Sequence, residues 1–279
     1  MDIRFREMTG EDIPRAIELK DAAGWNQTAA DWRRFLSASP EVCIAAERDG
    51  QVIGTSACMV YENRFAWIGM VIVDARHRGK GIGTALLEKA VQYLDARGIE
   101  CAKLDATPQG KIVYGKLGFV SEYEIERWAL NRDPQAKTTA CTPTEIEDLL
   151  VFDRDIYGAD RAALLCSMHE AAPEFTRIAR RGEEIDGYAF GRHGSLADHL
   201  GPWVARSRDT AEKLLVDFLR HSSRERVFVD CVARNSWAIP VLRNHGFQFS
   251  RPLARMYRGK NLFAERCERL GAIVGPEFG

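Results

Sequence analysis

The stretch Arg78-Gly79-Lys80-Gly81-Ile82-Gly83-Thr84 is suited to holding an anion. Its three glycines let the backbone pass close to a ligand with several N–H groups turned inward. Arg76, Arg78 and Lys80 add full positive charges. A helix starting near Ile82 adds a partial positive charge and unpaired donors. Together these features describe a phosphate site. The bland alternative is a solvated glycine turn, and the placement between an apolar strand and a helix argues against it. Two familiar phosphate patterns fail. Gly-x-x-x-x-Gly-Lys-[Ser/Thr] does not fit, and glycines at 79, 81 and 83 do not keep the register of Gly-x-Gly-x-x-Gly. The seven cysteines form no Cys-x-x-Cys pair, and the six histidines show no metal spacing, so no metal is expected. The cysteines read as reduced core thiols, and none stands out as an acyl carrier.

The elements that must position this loop alternate between strand and helix. The residue pattern predicts strands at 3–7, 42–48, 52–60 and 65–73, the second and third joined at Asp49-Gly50, a hairpin turn signal. Thr9 to Asp12 resembles a capping box before one helix, and Thr28 to Asp31 opens another. A helix is predicted over 82–97 with Gly98 as its cap, then a strand at 101–106, a short helix at 111–117 and a strand at 119–130. The stretch 131–143 is polar, with two prolines and three threonines, and reads as a linker.

The second half repeats this order: helices at 145–153 and 161–171, strands at 175–180, 185–190 and 201–205, a helix at 210–221, a strand at 227–232, a helix at 236–244 and a strand at 247–256. Gly54 and Gly69 are spaced much as Gly187 and Gly201 are, and each half ends its last helix on a Gly-Phe pair, Gly118-Phe119 and Gly246-Phe247. A divergent duplication is the economical explanation.

Composition narrows the function classes. The chain has 279 residues, which at ~100–200 per domain means one large domain or two modest ones. Hydrophobic residues make up 46% and charged residues 28%, which excludes a disordered chain. Lys plus Arg number 39 against 40 Asp plus Glu, so no basic excess points to nucleic acid. No apolar run reaches the ~18 residues of a membrane span. Met1 to Glu7 lacks the apolar core of a secretory signal. A cytoplasmic location with no membrane partner is expected.

Arg78-x-x-Gly81-x-Gly83 resembles the Arg/Gln-x-x-Gly-x-Gly/Ala signature of the GCN5-related N-acetyltransferase (GNAT) superfamily. Trp67-Ile68-Gly69-Met70-Val71-Ile72-Val73-Asp74 before it and Tyr114-Gly115-Lys116-Leu117-Gly118-Phe119 after it agree. The resemblance covers about residues 1–130. The second half resembles the degenerate acetyltransferase-like domain of the YitH-like subgroup, through Tyr157 to Arg161, Leu200-Gly201-Pro202, Arg255 to Gly259 and the Gly275-Pro276 tail. The fold implied is α/β: two tandem GNAT-like domains, each a mixed twisted sheet flanked by helices. The boundaries are 1–132 for the catalytic domain, 133–143 for the linker and 144–279 for the degenerate one.

The resemblance also implies roles. Backbone N–H groups of Arg78, Gly79, Lys80, Gly81, Ile82, Gly83 and Thr84 would hold the acetyl-CoA pyrophosphate. Met70, Val71, Ile72 and Val73 would line the pantetheine and the acetyl carbonyl, with Thr107 and Gly110 beside the arm. Tyr114 would also contact the cofactor and protonate the leaving thiolate. The general base stays open among Glu62, Asp74 and Asp105. The second half offers Arg206-Ser207-Arg208-Asp209-Thr210 where the first has its glycine loop, so one cofactor site per chain is expected. Trp25, Asn26, Asp160 and Trp203 are candidates for the acceptor pocket, with Asp153, Asp155 and Arg161 nearby and Trp32 a packing residue. The expected reaction is acetyl transfer to a primary amine of a small molecule by direct attack in a ternary complex, by a monomer or homodimer. A non-catalytic acyl-CoA sensor and an interaction protein are the competing classes.

Overall fold

A computed structural model describes residues 3–133 and 146–279. The expected linker lies, from residue 134 on, outside the described residues. The first half runs β1 (Arg4–Glu7), α1 (Ile13–Ala22), α2 (Ala29–Ala38), β2 (Ile44–Arg48), β3 (Gln51–Tyr61), β4 (Phe65–Val73), α3 (Ile82–Ala96), β5 (Cys101–Ala106), α4 (Pro108–Gly115) and β6 (Val120–Asn131). The second half repeats the order from α1 onward: α5 (Glu147–Tyr157), α6 (Ala162–Ala171), β7 (Arg177–Arg181), β8 (Glu184–His193), β9 (Asp198–Ala205), α7 (Arg208–His221), β10 (Arg226–Val232), α8 (Ala238–Asn244) and β11 (Gln248–Gly259). It then adds β12 (Leu270–Ala272), which the residue pattern did not announce.

Local chemistry explains most boundaries. The Thr28 backbone N–H donates to Asp31 Oδ2 at 2.7 Å, which opens α2 as a capping box does. Asp49 and Gly50 both have positive φ, 52° and 76°, the conformation a two-residue hairpin between β2 and β3 requires. No described helix is long and apolar enough to cross a membrane.

The two halves share one twelve-stranded sheet, ordered β1-β2-β3-β4-β5-β11-β6-β10-β12-β9-β8-β7. Each half gives its last strand to the other. β11 lies between β5 and β6, with Arg255 opposite Asp105 and Tyr257 opposite Lys103. β6 pairs with β10, with Trp128 opposite Val229. Side chains follow the exchange: Met256 packs into the first-half core with Leu104 and Phe119, and Trp128 packs into the second-half core with Leu200 and Trp203.

Buried charges fasten the exchange. Arg255 donates from Nε and Nη2 to both Asp105 oxygens at 3.0 and 2.9 Å, and from Nη1 to Glu265 at 2.7 Å and the Tyr123 hydroxyl at 2.7 Å. Its guanidinium lies 4.3 Å from the Trp67 ring centroid. Arg127 of β6 makes a matching bidentate pair with Asp230 of β10 at 2.8 and 2.7 Å. Arg192 joins Asp31 at 3.0 Å and also binds Glu277. Such pairs are weak as sources of net stability, but removing one member strands the other charge and costs about 3–5 kcal/mol.

Since β11 and β6 are exchanged, neither half completes its part of the sheet alone. Urea unfolding followed by tryptophan fluorescence and by circular dichroism should therefore give one coincident transition, and Arg255→Met should lower stability by about 3–5 kcal/mol. Two separated transitions would show the halves to be independent.

Candidate active site

The site begins with a defect in the sheet. β4 and β5 run parallel but pair only at Ala66–Ala102 and Trp67–Lys103, and then diverge. Along its other edge β4 carries a bulge, because Ile72 opposes Thr55 while Gly69 opposes Ala57. Met70 sits in that bulge with a φ of 55°, and its carbonyl accepts a hydrogen bond from Thr55 Oγ1 at 2.9 Å. A bulge beside a diverging strand turns backbone groups toward the gap.

Two hollows meet there. A cleft of about 730 Å³ runs from the glycine loop along Val71, Ile72 and Val73 to Tyr114. A smaller cavity of about 140 Å³ lies beyond it, between Gly69, Met70, Gln27, Arg127, Arg251 and Glu277. Trp25, Val71 and Tyr114 line both hollows.

The cleft's far end is an uncapped helix start. Gly81 is the N-cap of α3 with a φ of 78°, and no side chain caps the helix. The N–H groups of its first turn are left for a ligand. Asp74 braces the approach: it accepts from the Arg76 backbone N–H at 3.0 Å, from the Arg76 guanidinium and from Arg15 Nη2 at 2.7 Å. The Arg76 guanidinium, with Arg15 behind it, holds the Asp74 carboxyl well below the usual carboxylate range.

Tyr114 projects from α4 to the junction of cleft and cavity. Burial pushes its phenol up, so it stays an O–H donor at neutral pH. Its hydroxyl has no hydrogen-bond partner among the described residues.

Of the expected cofactor residues, Val71, Ile72, Val73, Arg78, Gly79, Gly81, Ile82, Gly83, Thr84, Gly110 and Tyr114 line the cleft. Met70 and Thr107 line the cavity, where Thr107 Oγ1 caps α4 by accepting from the Gly110 N–H at 3.1 Å. Lys80 is exposed and lines neither.

The acceptor-side expectations divide. Trp25 and Asn26 line the cavity, but the Asn26 amide is committed to the other half: Oδ1 accepts from Leu196 and Ala197, and Nδ2 donates to the Ala197 carbonyl. Asp160 does not line the cavity, and its carboxylate accepts from the Ala162 N–H at the start of α6. Trp203 is wholly buried in the second-half core, packed on Trp237 with Nε1 donating to Ala211. Asp153 and Asp155 are also tied up, by Arg161 and Arg266.

The open question of the base narrows in the same way. Glu62 pairs with Arg154 and Asp74 braces the loop. The side chain of Asp105 has no exposed surface, so its backbone faces the cavity while its carboxylate serves Arg255. Burial pushes that carboxyl up to about 6 even beside Arg255. Glu277, which sequence reasoning did not single out, lines the cavity instead. It accepts from Gln27 Nε2 at 2.8 Å and from Arg192. Each of its oxygens keeps a free lone pair.

The second half closes the corresponding features. Ser207 caps α7 through the Thr210 N–H at 3.2 Å, so that helix start is already satisfied. Pro202, with no N–H, stands in the corresponding bulge of β9. β12 fills the gap between β9 and β10, pairing Leu270 with Val204 and Ala272 with Cys231. The chain then runs on across both bulges. A side chain at Gly201 would strike the Ile273 carbonyl, and one at Gly69 would meet the Glu277 carbonyl at 2.6 Å.

A sequence model of the acetyltransferase (GNAT) family matches residues 11–119, and one of an acetyltransferase (GNAT) domain matches residues 149–271. The chain belongs to the GNAT superfamily. Holothin acyltransferase of Pseudoalteromonas sp. is similar over nearly its full length: the two are 26% identical over 263 residues, 92% of this chain and 88% of that one. N-alpha-acetyltransferase MAK3 of Arabidopsis thaliana is 29% identical over 36% of this chain and 56% of that protein. The fold matches the crystal structure of a putative acetyltransferase from Pyrococcus horikoshii with a TM-score of 0.83 at 22% identity, covering 99% of this chain and 96% of that one. These relations make this GNAT chain an acyltransferase with two GNAT domains in tandem.

Asp74 offers a check on the loop. Its folded pKa lies below the free value of 3.8, so its contribution to stability is present above that value and is lost as pH falls through the folded one. Asp74→Asn should lower the urea midpoint at neutral pH, and the difference from wild type should shrink as pH falls below about 4. A difference independent of pH would show that the carboxylate's charge is not what matters.

Proposed function

We propose that the chain transfers an acetyl group from acetyl-CoA to a primary amine of a small molecule, by direct attack in a ternary complex. The reading rests on one observation: the unpartnered Tyr114 hydroxyl stands beside the β4 bulge where cleft and cavity join. The cleft suits the cofactor. The uncapped start of α3, the glycine loop and Arg78 would take the pyrophosphate. The unpaired edge of β4 would pair with the pantetheine amides, and backbone N–H groups at the Met70-Val71 bulge would polarise the thioester carbonyl.

The amine would enter from the cavity. Its nitrogen forms a bond to the acetyl carbon, the carbon–sulfur bond breaks, and the departing thiolate takes the Tyr114 proton. The proton released by the amine passes toward Glu277, directly or through water, and Tyr114 is reprotonated from solvent. The tail at Pro276 and Glu277 walls the cavity, and Asn26 beside it is pinned by the Ser195–Ala197 segment, which favours a small molecule over a polymer. No step calls for nucleic acid, a membrane or a metal.

Product formation with acetyl-CoA and a panel of amines, read by mass spectrometry, tests this. Tyr114→Phe should slow transfer by ~100-fold or more, as loss of a general acid does, while acetyl-CoA still binds. Glu277→Gln should slow it less and shift its pH dependence. Full activity in Tyr114→Phe would remove the phenol from the mechanism. Binding of acetyl-CoA without transfer to any amine would turn the reading toward a sensor.

A further inference from the structure

Two arginines meet across the exchanged strands, and both line the acceptor cavity. Arg251 of β11 lies directly opposite Arg127 of β6. Like charges facing each other across an antiparallel pair are destabilising unless something neutralises them. Arg127 is neutralised by Asp230. Arg251 has no hydrogen bond and no ion pair among the described residues. The charges that act on it are Arg127, which repels it, and Asp230 and Glu277, each already held by another arginine.

The backbone presents Arg251 deliberately. The ladder between β11 and β6 steps from Phe249 to Arg251, leaving Ser250 out of register, and Pro252 follows at once. Such a bulge re-aims the next side chain. Arg251 is half-buried, so water solvates it only in part. The other charges around the cavity are compensated, Asp105 by Arg255 and Glu277 by Arg192. One guanidinium is left over, with a planar fork of donors that matches a carboxylate or a phosphate.

We propose that Arg251 binds an anionic group of the acceptor, so that the substrate is an amine that also carries a carboxylate or a phosphate. This rests on the acetyltransferase reading for the amine, but the anion site can be tested without it. Both ends of such a molecule would find a partner in the one cavity, since Arg251 and Glu277 both line it. Its anion meets Arg251, and its amine meets Glu277.

Titration calorimetry, with and without CoA, would use N-acetylated amino acids, their carboxamides and N-acetylethanolamine phosphate as product-like ligands. The anionic ligands should bind at least about tenfold more tightly than the carboxamides, a difference of about 1.4 kcal/mol. Arg251→Gln should abolish that preference with its circular dichroism spectrum unchanged, and Arg251→Lys should keep part of it. The carboxylate and phosphate arms identify which anion the site takes. Equal affinity for acids and carboxamides, no binding of any anionic ligand, or a preference that survives Arg251→Gln would each overturn the proposal. Turnover assays on matched amines separate the two readings. Acetyl transfer without anion preference sinks the Arg251 site alone. Arg251-dependent anion binding without transfer sinks the acetyltransferase reading alone.

Discussion

The pairing of Arg255 with Asp105 is the interaction on which the rest of this molecule depends. It joins the last long strand of the second half to the fifth strand of the first, in a place where neither charge reaches water. Two ions so placed are held by each other and by their hydrogen bonds, and their mutual need fixes which strands lie side by side. Once β11 is set against β5, β6 must pass to β10, and Arg127 meets Asp230. The walls of the smaller cavity then come from both halves: Arg127 and Arg251 from the exchanged strands, Gln27 from the first half and Glu277 from the tail. The cavity is a product of the exchange rather than a property of either domain.

The two halves treat one shared weakness differently. In each, two parallel strands diverge after a few residues and leave backbone groups without partners. The first half leaves its gap open and its helix start uncapped, which is what ligand binding asks for. The second half satisfies both from within, through β12 and Ser207. The frame is the same in both halves, and a few residues decide which gap stays open.

Much of this was legible in the residues. The glycine loop, the strand before it and Tyr114 are local patterns, and the structure assembles them around one cleft. The matched order of elements was legible too, down to Gly69 and Gly201, where close approach of the tail leaves no room for a side chain. The strand exchange was not, because the pairing of Arg255 with Asp105 spans a separation that no periodicity reports. β12 is three residues long and takes its structure from the gap it fills. Asp160 and Trp203 were misplaced for opposite reasons. An acid near a helix start is as suited to capping as to binding, and a strand tryptophan is as suited to a core as to a pocket. Glu277 and Arg251 became visible only when folding brought the tail and a bulged strand to the same cavity.

β12 has a consequence for how the second half can evolve. A segment tied to its own groove competes at an effective concentration of order millimolar or more, whatever the supply of soluble cofactor. Occupancy of that groove is therefore independent of what is dissolved around the protein, while the open one can exchange its occupant. One copy of the fold has become a constant of the molecule, and the other has stayed a variable.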